Sequence, residues 1–119
     1  MPTTSFMQLD VWRKAHEVNL AVYRMTERFP RHQLFGLTAQ MQRAAVSIPA
    51  NIAEGYGRRA PKDKARFYNI AAASSEELRY HLILTKDLGY QPGDHALWLK
   101  LDQVCGMLRR LWEKTLSGV

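Results

Sequence analysis

The chain predicts an all-α protein: an antiparallel up-down four-helix bundle with its second helix kinked at Pro49. Three observations carry this expectation. Apolar residues recur at alternating spacings of four and three along four long segments, the seam of a helix that packs on other helices. No segment shows the two-residue alternation of a half-buried strand. Proline and glycine stand where each periodic segment stops, so the connections are short and neighbouring helices pack on one another.

The first helix is expected over residues 8–29, on Val11, Ala15, Val18, Val22, Met25 and Phe29, with Pro30 as its stop. The second starts near Leu37 or Thr38 and carries Met41, Ala45, Ile48 and Ile52 at the same period. Pro49 falls inside this run. It has no N–H for the carbonyl of Ala45 and its ring crowds that carbonyl, yet the period passes through it, which predicts a kink rather than a loop. Asn51 and Glu54 have the spacing of a capping box, so a helix restart there competes with a polar contact that locks the kink. Gly55 and Gly57 then release the chain.

The third helix begins at Pro61, suited to a first turn, and carries Phe67, Ile70, Ala71, Ser74, Leu78, Leu82, Thr85 and Leu88, with Gly89 as its C-terminal cap. After "GYQPGD", Asp94 is the N-cap of the fourth helix, whose seam is Leu97, Leu101, Val104, Leu108, Leu111 and Thr115. Gly118 lies just past its end. The 119 residues fit one domain, with a core large enough to bury roughly two-thirds of the unfolded surface.

Apolar side chains exceed what four seams require. Trp98, Cys105 and Trp112 repeat every seven residues beside the fourth seam. Trp12 flanks the first seam, and Leu20 lies on the far side of its helix. Tyr80, Ile83 and Leu84 belong to "YHLIL", apolar or aromatic nearly all round one turn. Such faces need cover on several sides, and the excess reads as a surface for self-association. The plainer alternative is a wide core stripe with a few exposed side chains.

Charge is uneven. Residues 1–66 hold 11 Lys/Arg and 5 Asp/Glu, whereas residues 67–119 hold 6 of each, so the first stretch accounts for the formal +6. Arg58, Arg59, Lys62, Lys64 and Arg66 face only Asp63 between Tyr56 and Arg66. This clustering suits an anionic partner, RNA or DNA phosphate, with Arg13, Lys14 and Arg43 as further candidates. A solvated, solubilising stretch is the bland alternative.

The chain gives no positive sign of catalysis. His16, His32, His81 and His95 are scattered, and no Glu-x-x-His pair supports a di-iron bundle. Glu77 and His81 share a helical face but lack the further ligands a metal needs. "GYGRR" lacks the lysine spacing and the preceding strand of a phosphate loop. Ser74 and Ser75 read as small residues that permit close helix packing. Cys105, the lone cysteine, excludes an intrachain disulfide and a four-cysteine site, and reads as an inert thiol on an apolar face. No catalytic residue, metal, cofactor or small-molecule substrate is therefore expected. No run approaches the about 18 apolar residues of a membrane span. The stretch Met1–Phe6 lacks a leader's basic start and apolar block, so the expected location is the cytoplasm.

The stretch "FGLTAQMQRAAVSIPANIAEGYGR", Phe35–Arg58, closely resembles the hallmark box of a family of bacterial four-helix-bundle proteins encoded in intervening sequences of large-subunit rRNA genes and historically described as ribosomal-protein-like. The flanks "LDVWRKAHEVNLAVYRMTERFP" and "RFYNIAAASSEELRYHLILTKDLGY" resemble the family's first and third helices. The accessory variability-determinant proteins of diversity-generating retroelements look like relatives of the same fold. The resemblance spans nearly the whole chain. It implies a cytosolic bundle without known enzymatic activity that assembles with itself into a ring-like homo-oligomer such as a pentamer. It also implies structural roles for the box residues Ser47, Pro49, Asn51, Glu54 and Gly55, while Arg43 and Arg58 match the box as well. The basic retroelement relatives, which work with nucleic acid, add weight to nucleic-acid binding. Two functions stand at this point: a nucleic-acid-associated scaffold acting through the basic stretch, and a protein-interaction or assembly module acting through the apolar excess.

Overall fold

The computed structural model describes residues 5–118, so the expectation drawn from Met1–Phe6 lies mostly outside the described residues. Four helices follow in order: α1 (Asp10–Thr26), α2 (Leu37–Gly57), α3 (Pro61–Asp87) and α4 (His95–Ser117), with short 3-10 turns at Phe6–Gln8 and Arg31–Gln33. No strand occurs among the described residues, and no described helix is long and apolar enough to cross a membrane.

The helix ends follow local chemistry. The Asp94 side chain accepts from the Leu97 N–H at 2.9 Å and starts α4. Gly89 (φ 79°) and Gly118 (φ 75°) adopt the left-handed conformation just past α3 and at the end of α4. The first helix is shorter than its period implies. It ends at Thr26, four residues before Pro30, and Phe29 is buried from the loop beyond it. Pro30 disfavours the helical conformation at Phe29, so the helix does not extend to the end of its apolar period. The second helix is continuous from Leu37 to Gly57, and the restart at Asn51 does not form. Asn51 instead turns its amide back to donate to the Ser47 carbonyl and hydroxyl, both at 2.8 Å, while Glu54 pairs with Arg58.

Each helix packs on its neighbours in the chain, and α1 also packs on α4; the pairs α1/α3 and α2/α4 make no close backbone contact. This closes a four-helix square, 45 Å along its longest extent, around one core. Met41, Ile48, Ile52, Leu78, Leu101 and Leu108 are fully buried at its centre. Each large aliphatic side chain contributes about 2 kcal/mol by leaving water. The expected seams hold for α2 and for α4 as far as Leu108. The α3 seam needs correction. Its buried line is Tyr68, Ala71, Ser75, Leu78, Leu82 and Thr85, whereas Ile70 and Leu88 are exposed and Phe67 and Ser74 are half-buried. Small and polar residues hold this face because α2 comes close: Ser74 Oγ lies 2.7 Å from Ser47 Oγ.

Candidate functional site

The connection between α2 and α3 is only three residues, Arg58 to Ala60. Most of the basic stretch is therefore the beginning of α3, with Lys62, Lys64 and Arg66 in its first two turns. A helix N-terminus already carries a positive partial charge, so these cations work against the helix rather than for it. Asp63 offsets part of this: Arg66 reaches it at 3.0 Å and Arg58 at 3.7 Å. Arg58 also pairs with Glu54 at 3.3 Å. Both guanidinium groups stand over the Phe67 ring, at 4.6 and 4.4 Å from its centroid. Arg59 and Lys62 are exposed and make no ion pair among the described residues.

Lys64 behaves differently from its neighbours. Its ammonium donates to the carbonyls of Tyr56 (2.7 Å) and Gly55 (3.3 Å). It thus satisfies the free end of α2. Of the further candidates, Arg13 pairs with Asp10 and donates to the carbonyls of Met7 and Gln8, and Lys14 is half-buried one residue on. Arg43 is exposed fifteen residues before Arg58 on α2, roughly 22 Å away along a helix, so it does not join the cluster.

The fold adds cations that the linear reading placed in a neutral half. Arg109 and Trp112 of α4 line a groove with Tyr68 and Asn69 near the start of α3. Arg110 and Lys114 lie beside Leu9 and Asp10 at the start of α1. One end of the bundle therefore gathers Arg13, Lys14, Arg58, Arg59, Lys62, Lys64, Arg66, Arg109, Arg110 and Lys114 against Asp10, Glu54, Asp63 and Glu113. The remaining cations and carboxylates of the chain cancel, so the whole formal charge of +6 belongs to this end.

The groove between α3 and α4 measures about 720 Å³. Small residues, Ala72, Ala73 and Gly106, form much of it, and exposed Trp112 and buried Tyr68 also line it. Arg79 pairs across it with Asp102 and with Glu76 at 3.2 Å, and stands over Trp98. Cys105 is half-buried in the same wall, its Sγ 3.8 Å from Glu76 Oε1. Burial pushes its thiol pKa up, against a downward pull from Arg79. Burial likewise raises the Tyr68 phenol, with Tyr56 adding to it.

The apolar candidates divide. Trp12 and Trp98 are half-buried against the core, and Trp12 lies between Phe6 and His16 at centroid distances of 5.1 Å. Leu84 is half-buried. Leu20, Tyr80, Ile83 and Trp112 are exposed. His81 is buried, with its Nε2 3.0 Å from Glu77. Among the described residues no three His, Cys, Asp or Glu side chains come together as metal ligands. The periodicity gave no hint of Phe35, the most exposed large apolar side chain described, at 93%.

The family model described as 23S rRNA-intervening sequence protein matches residues 7–110. No curated protein matches the chain.

Proposed function

The chain belongs to the 23S rRNA-intervening sequence protein family, and from that premise we propose a non-enzymatic, cytoplasmic scaffold that assembles with itself and holds RNA by its phosphates on the basic end of each bundle. One observation carries the reading: the entire net charge of the chain falls at one end of the fold. Ordinary solubilising charge has no reason to concentrate there. Cations placed at the start of α3, against the helix dipole, favour an anionic partner that uses both the side chains and the free amides of the first turn.

Arg59 and Lys62, free of ion pairs among the described residues, make the first phosphate contacts, with Arg58 and Arg66 drawn from their carboxylates. Such contacts carry no base information, so binding is weakly sequence-specific and steeply salt-dependent. Assembly into a ring of about five copies, as the resemblance implies, repeats the basic end in every subunit and multiplies the affinity of each.

The test is salt-titrated binding to a short structured RNA, with the particle mass measured by light scattering. A mass several times the 13.7 kDa chain, with a steep negative salt slope, is expected. Replacing Arg58, Arg59 and Lys62 together by alanine reduces that slope by about 2. An unchanged slope refutes the assignment, and no binding at low salt refutes the RNA scaffold.

A further inference from the structure

The basic end holds an aromatic ring that phosphate contacts alone do not use. Phe67 is half-buried near the start of α3, and the guanidinium carbons of Arg58 and Arg66 both stand over it, at 4.6 and 4.4 Å from its centroid. A guanidinium donates only within its own plane, so an ion pair uses its edges and leaves its faces free. Asp63 takes the edge of Arg66 through Nε and a terminal nitrogen, at 3.3 and 3.0 Å. Glu54 takes Arg58 at 3.3 Å, and Asp63 lies 3.7 Å from it. The two arginine side chains are nonetheless 43% and 59% exposed. Each flat cation is thus fixed at its edge and backed by a ring, with its remaining surface in water. The carboxylates do not neutralise the place: Arg58, Arg59, Lys62, Lys64 and Arg66 stand against Glu54 and Asp63. Next to Arg58, Ala50, Ala53 and Gly57 line an open hollow of about 480 Å³, so no bulky side chain blocks the approach from α2.

We propose that Arg58, Phe67 and Arg66 form a stacking platform for unpaired nucleobases, so that the basic end takes single-stranded RNA in preference to duplex. The inference rests on the RNA reading above and names the form of RNA. Bases of a single strand turn outward and stack on aromatic rings or guanidinium planes, whereas a duplex keeps its bases stacked on one another. Whether a guanidinium keeps its carboxylate or exchanges it for a phosphate, it uses its edges, and its faces stay available. Exposed Arg59 and Lys62 hold the backbone of the same strand. Every base has a π-face, so the platform adds affinity without reading sequence. Phosphate contacts alone predict the opposite order, because a duplex carries about twice the charge per unit length.

The test sets a short oligouridine against an RNA duplex of the same length, each bound to the unaltered protein over a series of salt concentrations. The single strand should bind more tightly at equal salt. Phe67→Leu keeps an apolar side chain and removes the ring. It should weaken single-strand binding by about 5- to 150-fold, the loss of one stacked base. Duplex binding, the salt slope and the circular-dichroism spectrum should not change. Phe67→Tyr, which keeps the ring, should keep the preference. A duplex bound as tightly as the strand, both with a steep salt slope, overturns this inference and leaves the RNA scaffold standing. Equal losses on strand and duplex in Phe67→Leu would show that the ring only positions Arg58 and Arg66, and overturn the platform. No binding of either at low salt overturns the RNA scaffold, and the inference with it.

Discussion

A β-carbon built on Gly55 would lie 2.6 Å from Cε1 of Tyr68 and 3.1 Å from the Lys64 carbonyl oxygen. Tyr68 is a buried ring and cannot swing away, so α2 and α3 approach here only because residue 55 lacks a side chain. At Gly57 the same added carbon meets nothing within 4 Å. The two glycines therefore predict opposite outcomes for one chemical change. Gly55→Ala should destabilise the fold by about 1–3 kcal/mol through overpacking. Gly57→Ala should be neutral or stabilising by up to about 1 kcal/mol, because alanine restricts the unfolded chain. Urea denaturation of both variants decides it; equal effects would contradict the close approach.

Lys64 and Lys62 stand two residues apart with the same charge, yet their roles separate. Lys64→Met removes the donor to the Tyr56 and Gly55 carbonyls, and about 1 kcal/mol of stability should go with it. Lys62→Met, at an exposed side chain without an ion pair, should leave the denaturation midpoint within about 0.5 kcal/mol. On RNA the order reverses: the Lys62 variant loses more of the salt slope than the Lys64 variant. Equal losses would show that Lys64 leaves its carbonyls to bind phosphate.

Gln91 holds the turn between α3 and α4. Its amide nitrogen donates to the Leu82 carbonyl (3.0 Å) and the Thr85 hydroxyl (3.2 Å), and its oxygen accepts from Gly93 N–H at 2.6 Å. Gln91→Glu keeps the acceptor but turns a carboxylate onto the Leu82 carbonyl. The fold then favours the protonated acid and raises that group's pKa. The variant should be destabilised at pH 7 by about 1–3 kcal/mol and regain stability as the pH falls toward 4, where the acid again donates. A variant equally stable at both pH values would show that the amide donations contribute nothing.

The four helices were legible because their seams are long and regular, as in Met41, Ala45, Ile48 and Ile52, all fully buried. The α3 face was misread in part because Ser75 and His81, buried there, are polar, whereas exposed Ile70 is apolar; Thr85, expected on the seam, is buried. Periodicity counts hydrophobicity, and polar groups that bond locally, as Ser75 does to the Ala71 carbonyl at 3.0 Å, are invisible to it. The basic stretch was legible as charge. That Arg110 and Lys114 join it, and that Lys64 serves as a cap, depends on contacts between elements distant in sequence.

Cys105 offers a titration that reports on the groove wall. Burial is the larger influence and holds its thiol pKa above the ordinary value of about 8.5, even though Arg79 pulls it down. At pH 7 the folded protein therefore carries a neutral, slow thiol. Alkylation by iodoacetamide should be slower in the folded protein than in urea, with a pH midpoint above that of the unfolded chain. Replacing Arg79 by leucine removes the downward pull and should move the midpoint higher still. The sign for stability follows from the raised folded pKa: the contribution is fully present below the unfolded thiol's pKa and is lost as pH rises through the folded one, because the unfolded state ionises first. Cys105→Ser should remove that alkaline loss. A folded midpoint at or below the unfolded one would mean that Arg79, not burial, governs the thiol.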